Sequence, residues 1–373
     1  MNIAASPTDA VPAVEDLLAA LPARLNDICT LGAARDPAAI AVVEPGGGTW
    51  SYGDLKAAVD AAAEMLRGLG VRPGDRVVVV NENCMAAAAL IFAISAVDAW
   101  AIPLNARQTE REIDGIADHA GARRILFTHT LSPEADAHAD RHGAVEINLP
   151  GVYPVRAGPE RPADPEPVHT ESDKQVALLI YTSGTTGAPK GVMLSHLAAL
   201  YVASSPGSQK PMIPDDKVWG VLPISHIYGM TSTFLRTLYG GSQLFMEPRF
   251  SATRLAEAFE DKGITVFQGV PQMYAKLLEH VEARGRPVTA SDLRFLVVGG
   301  ARVDPGLKAA CEDMLGLRMT IGYGMTEFAS TVTRSLPKHV GADITMGPPL
   351  PGIEAKAVDD AGRDLPVGES GEI

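Results

Sequence analysis

The residues best suited to chemistry form a glycine- and hydroxyl-rich segment in the middle of the chain, YTSGTTGAPKGVMLS at residues 181–195. It follows an apolar run at residues 176–180 that has the length and composition of a buried strand. Glycines let backbone N–H groups approach a ligand closely, Ser and Thr add donors, and Lys190 adds a compact positive charge. Together these residue types indicate a site for a polyphosphate.

Two other interpretations of this segment are available. A P-loop requires a second glycine where Pro189 stands and a Ser or Thr where Gly191 stands, so the spacing excludes that motif. A solvent-exposed loop can also be rich in Gly, Ser and Thr, but seldom at this density. We therefore favour a phosphate-binding loop of another kind.

Three further segments follow in a fixed order along the chain: VLPISHIYGM at residues 221–230, LVVGGA at residues 296–301 and GYGMTE at residues 322–327. With the loop at residues 181–195, they resemble the motifs of the adenylate-forming superfamily. That superfamily contains acyl- and aryl-CoA ligases, luciferases and the adenylation domains of peptide synthetases. The resemblance extends from about Trp50 to Ile373.

In that family these motifs bind ATP with Mg²⁺ and hold a carboxylic acid. The resemblance implies four catalytic residues, of which Glu327 also binds the metal: His226, Thr326, Glu327 and Lys190. It implies a nucleotide site made of Thr182, Ser183, Gly184, Thr185, Thr186, Gly187, Gly299, Gly300, Ala301, Gly322, Tyr323 and Gly324. It implies an acid pocket lined by Tyr228, Met230, Ala301, Gly324 and Met325.

Several of these residues also have a plainer explanation. Taken alone, His226 would more often be a satisfied structural histidine, and Tyr228 and Met230 are residue types that commonly fill cores. Glu327 could be an ordinary acidic residue at a helix start. Arg302 departs from the family pattern; we expect it to face solvent, with a contact to a second carboxylate of a dicarboxylic substrate as the alternative.

The implied reaction brings two anions together. A carboxylate attacks the α-phosphate of ATP, forming an acyl-adenylate and pyrophosphate, and CoA then takes the acyl group. Such a site needs positive charge, N–H donors and strict positioning. Residues 223–234 contain no acidic residue, which argues against an amino-acid substrate. We expect a hydrophobic acyl or aryl monocarboxylate, with Gly324 and Ala301 leaving room for its tail.

Two other functions stay open at this point. One is a module that binds ATP or acyl-adenylate without turnover, because the family's small C-terminal domain with its catalytic lysine is expected to be absent from this chain. The other is a ligase that loads the phosphopantetheine of a carrier protein instead of free CoA. A homodimer is plausible only by analogy.

Composition excludes some classes of function. The 373 residues carry a formal net charge of −13, which opposes binding to nucleic acid. The three cysteines lack metal-ligand spacing and are expected to be reduced thiols. The N-terminus lacks a positively charged n-region, and the longest apolar run, about residues 84–97, is too short to span a bilayer. We therefore expect a cytoplasmic protein.

Strand-like and helix-like patterns alternate along the chain, which predicts an α/β fold. Residues 76–80 and 295–298 are typical of buried parallel strands, and residues 84–97 of a buried helix. We predict two parallel-sheet α/β subdomains with helices on both faces, at residues 1–170 and 171–345, joined by the Pro-rich stretch 150–167. Residues 346–373, with a strand at 354–358, are expected to begin a small β-barrel.

Overall fold

The computed structural model describes residues 13–149, 151–182, 190–204, 211–335 and 344–373. Its strands, numbered in chain order, are β1 Ile40–Val43, β2 Thr49–Ser51, β3 Arg76–Asn81, β4 Trp100–Asn105, β5 Arg124–Phe127, β6 Val145–Leu149, β7 Val152–Ala157, β8 Val176–Thr182, β9 Lys190–Ser195, β10 Lys217–Gly220, β11 Gln243–Met246, β12 Val266–Gly269, β13 Phe295–Val298, β14 Met319–Tyr323 and β15 Thr333–Arg334.

The α-helices are α1 Val14–Ala19, α2 Asp27–Arg35, α3 Tyr52–Gly68, α4 Met85–Ala96, α5 Glu110–His119, α6 Pro133–Arg141, α7 His196–Ser204, α8 Arg236–Gly240, α9 Ala252–Asp261, α10 Pro271–Arg284 and α11 Pro305–Leu315. A π-helix, Tyr228–Leu235, runs directly into α8, and a single 3₁₀ turn covers Thr326–Phe328.

Two sheets form the frame of the molecule. The first sheet has the strand order β6-β7-β5-β3-β4-β8-β9, and the second has β15-β14-β13-β12-β10-β11-β1-β2. The centre of each sheet is parallel, and antiparallel strands lie toward the edges. The predicted α/β class with two sheets is confirmed.

Alternating residues of one strand show that helices cover both faces of the first sheet. Val77 and Val79 of β3 pack into a core shared with α3 and α4, between the two sheets. Val78 and Val80 pack on the opposite face against α5 and α6. Helix α4 lies in the shared core, with every residue from Met85 to Ser95 buried, because its alanine- and leucine-rich sequence has no polar face.

The two sheets do not divide the chain at residue 170, where the boundary between the subdomains was predicted. Strands β1 and β2 belong to the second sheet, where β1 pairs in parallel with β11, and β8 and β9 belong to the first sheet. Strand β7 lies within the stretch predicted to connect the subdomains and pairs with both β5 and β6. It forms a strand because Val155 is fully buried against the core.

The strand predicted at residues 354–358 is not formed. Val358 makes only isolated antiparallel bridges, to Asp364 and to Glu372. The side chains of Glu354, Ala355 and Lys356 are all exposed, so the apparent alternation in the sequence buries no face here.

The three cysteines are buried free thiols, as expected. Within the described parts of the chain, none of the helices combines the length and apolar character needed to cross a bilayer.

A buried histidine makes the stability of this fold depend on pH. His196, the first residue of α7, is fully buried, and its Nδ1 accepts a hydrogen bond of 3.1 Å from the Leu25 N–H. Burial, with a smaller effect of Arg24, lowers its pKa from 6.5 to about 3. The folded state therefore holds the ring neutral while the unfolded chain takes up a proton below pH 6.5.

We expect the free energy of unfolding to fall by about 1.4 kcal/mol per pH unit for this one group as pH drops below 6.5 toward 3. His196→Asn keeps an acceptor for the Leu25 N–H but cannot titrate. Urea unfolding between pH 7 and pH 4.5 should show a shallower decline for that variant, whereas His169→Gln, at an exposed position, should follow the wild type. An equal decline of the unfolding free energy with falling pH in all three proteins would contradict the role of His196.

Candidate active site

The predicted motifs converge on one cavity of about 330 Å³ between the two sheets. Three of its walls come from strand ends: Thr182 closes β8, Gly299 and Gly300 follow β13, and Tyr323 closes β14. In parallel sheets ligands bind at the carboxyl ends of strands, where loops can converge. The predicted residues that line this cavity are Thr182, His226, Tyr228, Gly299, Gly300, Gly322, Tyr323, Gly324, Met325, Thr326 and Glu327.

Part of the predicted phosphate loop lies outside the described residues, namely Ser183, Gly184, Thr185, Thr186 and Gly187. Its two flanks are described. Thr182 pairs with Lys190 across the antiparallel β8–β9 ladder, so the loop begins and ends at the same place. The side chain of Lys190 is exposed there.

Three predicted pocket residues have positions that the motifs alone did not indicate. Met230 is fully buried in the shared core. Ala301 is exposed, as is Arg302, and neither is among the residues that line the cavity in the described chain. Gly324 does line the cavity, but a Cβ built on it would lie 1.3 Å from the Ser330 carbonyl oxygen. Close backbone contact, not room for a substrate tail, therefore accounts for this glycine.

The loop that carries His226 is held by a residue from the other sheet. Asn83 follows β3 and is 3% exposed. Its Nδ2 donates to the carbonyls of Gly220 and Leu222 at 3.0 and 2.9 Å, and its Oδ1 accepts from the Ile224 N–H at 3.0 Å. Asn83 thus hydrogen-bonds to three buried backbone groups just before His226.

His226 is oriented by its own loop. The Tyr228 N–H lies 3.2 Å from His226 Nδ1, which makes this nitrogen the acceptor and leaves the ring proton on Nε2. Desolvation lowers the pKa of His226, which favours the neutral ring. The side chain remains accessible from the cavity. The arrangement presents an Nε2–H donor to a bound anion.

The π-helix and the loop after the 3₁₀ turn are joined by hydroxyl groups. Thr231 Oγ1 donates to the Ala329 carbonyl at 2.7 Å. Ser232 Oγ lies 3.0 Å from Ser330 Oγ and 3.2 Å from Thr331 Oγ1. These contacts hold the loop where Ala329 and Ser330 have the unfavourable φ values of 51° and 107°. A π-helix at a functional site is common, and its freed carbonyls need such partners.

Sequence reasoning missed these supporting residues. Gln268 donates from Nε2 to the Ser232 carbonyl at 2.6 Å and lines the cavity together with Ser232, Thr331 and Arg334. None belongs to a motif. One signal in the sequence could have identified them: Asn83 and Gln268 are polar residues directly after or within strands that otherwise appear buried. A buried polar side chain needs hydrogen-bond partners, so it indicates a supporting role.

A second cavity of about 490 Å³ shares His226, Tyr228 and Gly300 with the first. Its remaining wall is mainly apolar and includes Leu104, Leu222, Val270 and Met273. The two cavities therefore meet at His226.

The fold and the cavity agree with the family to which the sequence profile assigns this chain. The chain belongs to the AMP-binding enzyme family, whose profile matches residues 30–373. A feruloyl-CoA synthase from Amycolatopsis sp is 33% identical over 333 residues, which are 89% of this chain and 65% of that relative. The chain thus spans less than two-thirds of the length of this CoA ligase.

Solved structures agree on the fold. ATP-bound MatB from Rhodopseudomonas palustris superposes with a TM-score of 0.74 at 25% identity, covering 92% of this chain and 68% of MatB. The anthranilate CoA ligase AuaEII, in complex with anthranoyl-AMP, gives a TM-score of 0.79 at 21% identity, covering 94% of this chain and 69% of that protein.

The Asn83 contacts give a prediction for the loop. Asn83→Ala should lower the free energy of unfolding by about 3 kcal/mol, because it leaves buried backbone groups unsatisfied. It should also weaken ligand binding at His226 in protein that is still folded. Urea unfolding and nucleotide titration measure the two effects, with the exposed Asn148→Ala as control. An Asn83→Ala protein with unchanged stability would contradict this role.

Two glycines of one motif provide a matched pair. Gly324→Ala should destabilise the protein by about 3 kcal/mol, because its Cβ would collide with the Ser330 backbone. Gly322→Ala should change stability by less than about 0.5 kcal/mol, since the nearest atom to its Cβ is the Thr333 carbonyl oxygen at 3.9 Å. Thermal or urea unfolding of both variants measures the difference in stability. A similar loss of stability in the two variants would contradict the close contact at Gly324.

Proposed function

We propose that this chain is the large nucleotide-binding part of an ATP-dependent carboxylic acid–CoA ligase. The acid is activated as an acyl-adenylate with release of pyrophosphate, and CoA then forms the thioester. The observation that carries the proposal is the convergence of Thr182, His226, Tyr323, Thr326 and Glu327 on one cavity. The relationship to a feruloyl-CoA synthase supports the reaction class, and the likeness to ATP-bound MatB supports the nucleotide.

The residues at the cavity fit MgATP. Mg²⁺ in such sites is held by one or two carboxylates together with the substrate phosphates. Glu327 supplies one carboxylate to the cavity beside Thr326, and the described chain contains no cluster of three or more acidic, histidine or cysteine residues that would bind an ion by itself. The ion would therefore arrive with the nucleotide, neutralise phosphate charge and polarise the α-phosphate. Thr182 and Thr326 would donate to phosphate oxygens, and Lys190 would add charge from the flank of the loop.

His226 would act on the acid. Its Nε2–H can donate to a carboxylate oxygen, which offsets negative charge while the other oxygen attacks phosphorus. A neutral histidine does this without creating a salt bridge that must be broken later. Because both cavities reach His226, the acid and the thiol can approach the same carbonyl from different sides.

The acid's body would be apolar. Ile227, Val297 and Met325 line the first cavity beside the Tyr228 ring, and this surface suits an acyl chain or aromatic ring. The second, mainly apolar cavity would admit the thiol end of the acceptor. We propose CoA as that acceptor because the feruloyl-CoA synthase that is 33% identical to this chain is a CoA ligase.

Calorimetric titration of the chain with MgATP, alone and with aryl, acyl, dicarboxylic and amino acids, tests this function. We expect saturable MgATP binding that one class of acid strengthens. Glu327→Gln should remove most of the difference between binding with Mg²⁺ and binding with EDTA, because the variant loses its metal ligand. The exposed Glu279→Gln on α10 is the control. Absence of MgATP binding to the folded chain would overturn the proposal.

A further inference from the structure

The inner end of the first cavity is unusually polar. Tyr228, Ser232 and Arg236 recur at a spacing of four residues, so they lie on one face of the π-helix and the α8 helix that continues it. Arg334 of β15 lines the cavity near this face, brought there by its pairing with Gly322 in β14. Tyr228, Ser232 and Arg334 line the cavity, whereas Arg236 does not line it and acts on Arg334 and Tyr228 through its charge. A pocket for a wholly apolar tail would not have such polar groups at its wall.

Neither arginine at this end has a counter-charge among the described residues. Arg334 Nη1 and Arg236 Nε are buried and have no hydrogen-bond partner, and Arg236 is 2% exposed with its guanidinium 5.6 Å from the centre of the Phe295 ring. Among the described residues neither arginine forms an ion pair. Asp216, whose charge reaches Arg236, is already bound by Arg294 at 2.5 Å.

Burial of unpaired charge is costly, and the same fold avoids it elsewhere. Arg76, also buried, pairs with Glu166 at 3.1 Å. At the cavity, burial together with the repulsion between the two guanidinium groups lowers the pKa of Arg236 to about 9, and burial lowers the pKa of Arg334. Two cations held in this way are complementary to an anion that none of the described residues provides.

The tyrosine at this end is also unpaired. Tyr228 Oη is buried and without a hydrogen-bond partner. Burial raises the pKa of Tyr228, so the phenol keeps its proton and can donate. Its ring packs closely on the backbone after β13, since a Cβ on Gly299 would lie 3.2 Å from the phenol carbon Cζ. A neutral donor therefore lies within electrostatic reach of the two guanidinium groups.

We propose that the inner end of this cavity binds a second carboxylate, so that the preferred substrate is a dicarboxylic acid with an apolar body. One carboxylate is activated beside His226, and the other pairs with Arg334, supported by Arg236 and the Tyr228 hydroxyl. This inference rests on the proposed ligase function and narrows its substrate class. No further bond is made or broken at the second carboxylate.

The nucleotide is the other source of anionic groups in the cavity. The described residues suited to its phosphates are Thr182, Thr326 and Glu327 with its metal, whereas Arg334 is associated with Tyr228. The experiment therefore has to separate an effect on the acid from an effect on MgATP.

The test compares matched acids in calorimetric titrations of the whole chain at saturating MgATP: terephthalate against benzoate and 4-methylbenzoate, and adipate against hexanoate. We expect at least one dicarboxylate to bind about tenfold or more tightly than its monocarboxylate partners. Arg334→Gln should abolish that preference, Arg334→Lys should keep part of it, and Tyr228→Phe should reduce it less. In all three variants the affinity for MgATP, measured without acid, should change less than the affinity for the dicarboxylate.

Arg302→Gln is the control, because Arg302 is exposed and outside the cavity. Monocarboxylates that bind as well as or better than dicarboxylates to the wild type would overturn the inference and leave the ligase function intact. MgATP binding without binding of either acid series would also overturn it. Arg334→Gln that weakens MgATP but keeps the acid preference would assign the guanidinium to a phosphate. Failure to bind MgATP at all would overturn the ligase function itself.

Discussion

The active-site cavity depends on one buried amide. Asn83 extends from the end of β3 in the first sheet and is fully hydrogen-bonded to the backbone of the loop at residues 220–224 in the second. Because these groups are buried, sliding one sheet against the other would leave several of them unsatisfied. His226 and Tyr228, which follow that loop, are therefore fixed relative to Thr182 at the end of β8. The two halves of the site come from different sheets, and this contact sets their distance.

Close backbone contacts also constrain the positions of the loops around the cavity. A Cβ on Gly229 would lie 2.2 Å from the Pro223 carbonyl oxygen, and one on Gly324 would collide with Ser330. The loops that line the cavity are therefore packed backbone against backbone, and hydroxyl groups such as Thr231 and Ser232 form hydrogen bonds between them. Preorganisation of this kind lets the site stabilise charge without rearranging during reaction.

The sequence was a good guide where the signal was local. The unbroken apolar run of β3 and the alanine-rich sequence of α4 correctly predicted that both elements are buried. The family resemblance identified motifs that are far apart in the sequence and lie around one cavity in the structure. Sequence-based prediction failed for contacts between residues that are distant in the sequence. Nothing near β1 indicates that it pairs with β11, and Asn83 bonds to Leu222, 139 residues away. Residues 354–356 show a false prediction of a strand. Their sequence alternates as a strand would, but the residues are exposed and have no surface to pack against, so no strand forms.

The distribution of charge is consistent with the proposed reaction. A chain of net charge −13 repels anionic substrates at long range, so attraction has to come from cations placed where water is excluded and Coulomb forces are strong. Elsewhere the fold pairs its arginines, as the buried Arg76 with Glu166 and the partly exposed Arg294 with the buried Asp216. Among the described residues Arg236 and Arg334 form no ion pair, which destabilises the empty protein and favours whichever anion can occupy that end of the cavity. In the proposed dicarboxylate site, selectivity for the acid would arise from the same desolvation that makes an unpaired arginine rare in a core.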